Sequence, residues 1–175
     1  MHKLKELISH CTEFTIKGLE EVNSKIIESL QTSGTTSHVK GLQIIQLQKT
    51  IFIVGVFSLF ESIIQDSLSC KDGFIEVKKI LLDKGNNTLY NKFNDYYLAI
   101  NVLKYGRGNS YNRLVDRSES LPFKIKLEDE YFFQEGDVSE IKTLIEVDDG
   151  FILECANLLV QVCNEIELDK ISHTI

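Results

Sequence analysis

The sequence predicts an all-α protein, in the main: a bundle of about five helices with a short β excursion near residues 121–133. Three observations predict it. Apolar side chains recur at steps of three and four over several long segments. A single proline, Pro122, interrupts 175 residues. One segment alone switches to a two-residue period. The length fits one domain, residues 1–175, because a single core serves about 100–200 residues. With 43% hydrophobic residues the chain is too apolar for intrinsic disorder.

Residues 3–30 read as the first helix, with Leu4, Leu7, Ile8, Cys11, Phe14, Leu19, Val22, Ile26 and Leu30 on its stripe. A Ser/Thr/Gly cluster after Leu30 stops it, since such side chains compete for backbone hydrogen bonds. A second helix covers residues 39–69. Its second half, IFIVGVFSLF, is apolar all round, which predicts a central helix surrounded by the others. That run spans half of the roughly 20 residues a membrane crossing needs, so a buried core helix and a cytoplasmic protein without membrane contact are expected.

Gly73 opens a third helix carrying Phe74, Val77, Ile80 and Leu81, ended by a turn with Gly85 as cap. The fourth, residues 88–105, repeats Leu89, Phe93, Tyr96, Ile100 and Leu103. Gly106 and Gly108 then break the helix, and Ser110 is the expected N-cap of a short helix over 111–117. From Phe123 to Leu127, apolar residues alternate with Lys124 and Lys126, the pattern of a half-buried strand with Pro122 at an edge. Residues 135–137 read as a turn. Asp148 or Asp149 caps a last helix through Phe151, Cys155, Leu158, Leu159 and Val162. Residues 168–175 read as a frayed tail.

The net charge of −7 argues against generic nucleic-acid binding, but the charge is unevenly spread. Residues 1–100 are balanced. Residues 101–126 are net +4, with Lys104, Arg107, Arg113, Arg117, Lys124 and Lys126 against Asp116 and Glu119. Residues 127–175 are net −11. Two readings of the central basic segment stand: an anion or RNA site, or a partner for the acidic last third.

No metal or cofactor site is predicted. The four histidines are scattered, without HxxxH or HExxH pairing, and the four cysteines lack CxxC spacing and read as small core hydrophobes. Neither a phosphate-loop motif nor a GxSxG elbow is present. The segment that gathers chemistry runs from Asn101 to Arg113. Asn101, Lys104 and Tyr105 share a helical face. Arg107 and Arg113 offer guanidinium forks for phosphate, Tyr105 and Tyr111 offer rings for bases, and Asn109 and Ser110 add hydrogen-bonding groups. Lysine, glycine and serine there are also ordinary helix punctuation. Glu61 follows ten uncharged residues, and Lys104 or Arg107 are its candidate partners.

The order of elements resembles the HEPN superfamily. The likeness rests on Val56-Phe57-Ser58-Leu59-Phe60-Glu61 at the end of helix two, and on the polar turn NVLKYG from Asn101. It covers about residues 1–115 and the last helix. The resemblance implies a two-fold homodimer and metal-independent ribonuclease chemistry, in which a histidine and an arginine act on the RNA 2′-hydroxyl and phosphate. It also implies a bacterial toxin–antitoxin or anti-phage setting with an antitoxin or other protein partner. Carried onto this chain, the catalytic positions are Lys104, Tyr105 and Arg107. Asn101, Asn109, Ser110, Tyr111 and Arg113 would bind RNA, with Glu61 in support. The chain departs from the family motif: aligned on Asn101 and Gly106, the arginine position holds Ile100 and the histidine position Tyr105. A tyrosine, with an ordinary pKa of about 10, is a poor base at neutral pH. Some HEPN-like proteins are inactive, so the alternative is a non-catalytic helical dimerisation or interaction module.

Overall fold

The computed structural model describes residues 4–32, 36–128, 130–133 and 137–166. Six α-helices follow one another: α1 (Leu4–Thr32), α2 (Thr36–Leu68), α3 (Gly73–Asp83), α4 (Asn87–Tyr105), α5 (Asn109–Val115) and α6 (Asp149–Glu165). The fold class is all-α. The predicted tail over 168–175 lies outside the described residues, as do His2, His173 and most of the 135–137 turn.

The core gathers Ile53, Phe57, Phe60 and Ile64 of α2, Phe74, Val77 and Leu81 of α3, Phe93 and Tyr96 of α4, and the apolar face of α6. Phe74 is its aromatic centre, edge-on to Phe57, Phe93 and Tyr97 at ring distances of 5.3 to 6.1 Å. Such edge-to-face contacts add roughly 0.5–1.5 kcal/mol each beyond burial. Gly73 lets α3 start close against α2: a Cβ there would sit 2.8 Å from the carbonyl oxygen of Glu61. Asp72 caps α3, accepting from the Ile75 amide at 2.8 Å. Asn86 and Asp148 cap α4 and α6 in the same way.

Five expectations change. Helix α2 is not surrounded: it packs on α1, α3, α4 and α6, yet Ile44, Leu47, Ile51, Leu59 and Ile63 are exposed. An uncharged run shows that a helix is apolar, not how many neighbours it has. Among the described residues α2 is the one helix long and apolar enough to cross a membrane. On α1 the buried line is Ile8, Thr12 and Ile16, while Leu7, Cys11, Phe14 and Val22 face outward. This helix touches only α2 and α6 appreciably, so a narrow stripe suffices to seat it. Cys155 and Cys163 are buried as expected; Cys11 is not.

The strand expected near residues 121–133 reduces to one antiparallel bridge, Ile125 with Ile145. It is closed by Lys126 N–H to Leu144 (2.9 Å) and Glu146 N–H to Lys124 (3.1 Å). The alternation points inward correctly, with Ile125 buried and Phe123 and Leu127 half-buried, but two residues of partner do not make a ladder. Lastly, Gly108 rather than Ser110 is the N-cap of α5, without a side-chain bond.

Candidate nucleic-acid interface

The C-terminal end of α4 stops because Gly106 adopts φ 72°, ψ −143°, a conformation that side chains resist. Its amide still closes the helix on Val102 at 2.8 Å. The chain then turns into α5, which packs back against α4. This turn brings Lys104 and Tyr105 on α4, Arg107 in the turn and Arg113 on α5 to one end of the bundle. Helices α2 and α3 both pack against α4.

The predicted residues divide into outward and inward groups. Lys104, Arg107, Asn109 and Arg113 are exposed, and Tyr105 is 74% exposed. Asn101 and Ser110 are half-buried. Tyr111, expected as a base-stacking ring, is only 7% exposed and donates its hydroxyl to the Lys126 carbonyl at 2.8 Å. It packs α5 against the extended segment, and the Arg107 guanidinium lies 5.3 Å from its ring centre. Tyr105 is therefore the accessible ring, with the Lys104 ammonium 5.1 Å from its centre.

Glu61 and Lys104 belong to one electrostatic neighbourhood. Burial pushes the Glu61 carboxyl above its ordinary range, and the nearby Asp72 charge adds to this. Lys104 opposes both. The two side chains do not form an ion pair in contact, so Lys104 keeps hydrogen-bonding capacity.

Sequence reasoning missed Lys78 of α3 and Tyr97 of α4. The Lys78 ammonium sits 3.7 Å from the Tyr97 ring centre, and Phe74 holds that ring edge-on from behind. Burial first and the Arg113 charge second lower Lys78 to about 8, with Asp72 working against both. A weak signal existed in the Lys78-Lys79 doublet, in which only Lys79 meets Glu76, at 3.5 Å.

Pairing with the acidic last third holds for two of the six basic residues of the segment, Lys124 and Lys126. Arg117 pairs with Asp95, Lys124 with Glu146 at 2.9 Å, and Lys126 with Glu140. Two of these carboxylates come from the acidic last third. By contrast Lys104, Arg107 and Arg113, and Lys78 beside them, have no ion pair among the described residues. Three of the four lie on tyrosine rings instead.

No family model, curated protein or solved structure matches the chain. Among the described residues no three His, Cys, Asp or Glu side chains gather as metal ligands would. A concavity of about 690 Å³, lined by Ser118, Leu121, Phe123, Ile125, Tyr131 and Phe132 among others, includes none of the predicted site residues. What the α3–α4–α5 end offers chemically is a shallow cationic surface with one exposed aromatic ring. Such a surface suits an extended anion with stacking groups.

Proposed function

We propose that this chain is a HEPN-like, RNA-directed protein that takes single-stranded RNA on the α3–α4–α5 end of its bundle. The observation that carries the reading is that Lys104, Arg107, Arg113 and Lys78 have no ion pair among the described residues in a protein of net charge −7. An acidic chain has carboxylates to spare, and it uses them on Arg117, Lys124 and Lys126 but not here. Lys104, Arg107 and Arg113 meet backbone phosphates, Tyr105 stacks a base, and Asn101 and Asn109 add hydrogen bonds. In a ribonuclease form, Lys104 and Arg107 stabilise the charge that builds on the phosphate, and Tyr105 exchanges a proton with the 2′-hydroxyl.

The test is fluorescence anisotropy with a single-stranded RNA oligonucleotide at low salt. Binding should weaken steeply with added salt, because phosphate contacts release counterions. Arg107→Ala should lose about tenfold in affinity and flatten the salt slope by about one unit. Undiminished binding in that variant, or none by the parent chain, contradicts the reading. Cleavage in EDTA that survives Tyr105→Phe at full rate removes Tyr105 from the chemistry.

A second reading, a non-catalytic dimerisation module, is favoured by the outer face of α2. Ile44, Leu47, Ile51, Leu59 and Ile63 recur along it without a charge, and Leu59 is 67% exposed. Gly55 lies within this stripe, with open space where a Cβ would stand. An isologous contact through this face would cover it with a second copy. Light scattering should then give a dimer for the parent chain and a monomer for Leu59→Asp. A strict monomer at high concentration contradicts the dimer in both readings.

A further inference from the structure

We infer that a cavity between α4, residues 122–124 and the start of α6 binds a small organic ammonium ion that also carries a hydroxyl or carbonyl oxygen. The ammonium sits at the carboxylates of the mouth, and the oxygen accepts from the Tyr96 hydroxyl within. The inference stands apart from the RNA-directed reading and uses none of its residues.

The cavity measures about 280 Å³, and its polarity changes along its depth. The inner end is aromatic. Tyr96 of α4 is fully buried and Phe151 of α6 nearly so. Their rings and that of Phe123 pack at centre distances of 5.1 to 5.4 Å into one wall. At the mouth stand Lys124, Asp148 and Glu154, all exposed, and the half-buried Glu146.

The inner end holds an unmet polar group. The Tyr96 hydroxyl has no hydrogen-bond partner among the described residues, although its residue is shut off from solvent. A buried phenol ordinarily finds a partner, and leaving it without one costs stability. Burial, with the neighbouring Cys155, Glu154, Asp148 and Asp95, holds this hydroxyl above its ordinary range. It therefore stays protonated at neutral pH, a donor that lacks an acceptor. A neutral oxygen on a ligand supplies that acceptor without bringing a charge to the buried end.

The mouth asks for the opposite chemistry. Glu146 meets Lys124 at 2.9 Å, and Glu154 meets Lys92 at 2.7 Å. Asp148 accepts from the Phe151 amide at 2.7 Å and so answers the positive end of α6. Each of these contacts uses one carboxylate oxygen. Three carboxylates against two lysines disfavour an anion and suit a cation. Among the described residues no three acidic side chains converge as metal ligands would. Spread carboxylates match an ammonium group, whose three N–H donors point apart, better than a bare ion. Between the two ends, the aromatic wall takes methylene groups. The volume lies just below the roughly 300 Å³ at which pockets for drug-sized molecules begin, so the ligand is small.

The experiment is an NMR titration of the labelled full chain at constant ionic strength with three probes. Aminopropanol carries both ends, propylamine lacks the hydroxyl, and propanol lacks the ammonium. Aminopropanol should shift the Gly150, Phe151 and Glu154 amides saturably and bind about tenfold more tightly than either of the others. Tyr96→Phe should bring aminopropanol down to the level of propylamine. Because it removes an unmet hydroxyl and keeps the ring, its urea midpoint should equal or exceed that of the parent. Glu154→Gln should weaken aminopropanol and propylamine and leave propanol unchanged. The inference is overturned if aminopropanol moves none of these amides, or if the three probes bind equally. It is also overturned if Tyr96→Phe binds aminopropanol as the parent does, or unfolds at lower urea, since the hydroxyl then serves the fold. Magnesium chloride that displaces aminopropanol at equal concentration would make the mouth a site for inorganic cations and end the assignment.

Discussion

Six basic side chains lie between residues 101 and 126, and they divide into two groups of three. Arg117, Lys124 and Lys126 border the irregular segment after α5, and each meets a carboxylate. Lys104, Arg107 and Arg113 stand at the end of α4, in the turn and on α5, and none does among the described residues. The first group replaces strand pairing. Around the single Ile125–Ile145 bridge, Lys124 with Glu146 and Lys126 with Glu140 tie together segments that lack a ladder. The second group ties nothing together. Lys104 lies by the exposed Tyr105 ring, Arg107 by the buried Tyr111 ring, and Arg113 is exposed on α5. Cations that hold a fold have their counter-charges inside the fold; Lys104, Arg107 and Arg113 contact no carboxylate among the described residues.

The comparison can be broken by exchanging the two behaviours. The largest effect is expected from Lys126→Met. Lys126 and Glu140 are both largely shielded, and Glu140 also accepts from the Phe132 and Phe133 amides at 3.0 Å. Burial works to raise the Glu140 carboxyl, but Lys126 and those amides outweigh it and hold it below its ordinary range. Removing one partner leaves a shielded charge and should cost about 3 kcal/mol in urea unfolding, with RNA affinity unchanged. A group held low contributes stability above the unfolded carboxyl value of about 4.3, lost as pH falls through the folded value. The parent should therefore lose this increment on acidification, and the variant should lose less.

Gly73→Ala comes next. Its methyl would stand 2.8 Å from a backbone oxygen that cannot swing aside. About 2 kcal/mol of destabilisation is expected, and because α3 carries Lys78, RNA affinity should fall as well. Lys124→Ala is the smallest, with no resolvable change in urea unfolding. Its ion pair with Glu146 is mostly solvated on the lysine side, and RNA binding should not respond. A clear loss of RNA binding in Lys124→Ala would erase the distinction between the two groups.

The helices were legible because their apolar residues repeat with the helical period, and their caps were legible at Asp148 and Gly85. The faces were less so. The stripe of α1 was drawn wide enough to include Phe14, which is 81% exposed, because periodicity marks an apolar arc without saying how much of it a neighbour covers. In α2, Ile51 and Leu59 look like core residues in the sequence and stand on the surface. At the site, Glu61 and Lys104 stand out in the sequence because one charge interrupts an apolar run and the other ends a helix, and in the structure the Lys104 charge reaches Glu61 without a contact ion pair. Tyr111 was misjudged because its acceptor, the Lys126 carbonyl, is 15 residues away. Lys78 was missed for the same reason. Beside Val77 it looks like the solvated edge of an amphipathic helix, and only the packing of α4 brings Tyr97 beneath it.

The most direct test of the division is a side-chain NMR map of the arginines and lysines as single-stranded RNA is added at low salt. Signals from Lys78, Lys104, Arg107 and Arg113 should move together and saturate, while those of Arg117, Lys124 and Lys126 stay in place. Movement of the second group alone, or equal movement of both, would contradict the claim that the unpaired cations are the RNA-binding ones.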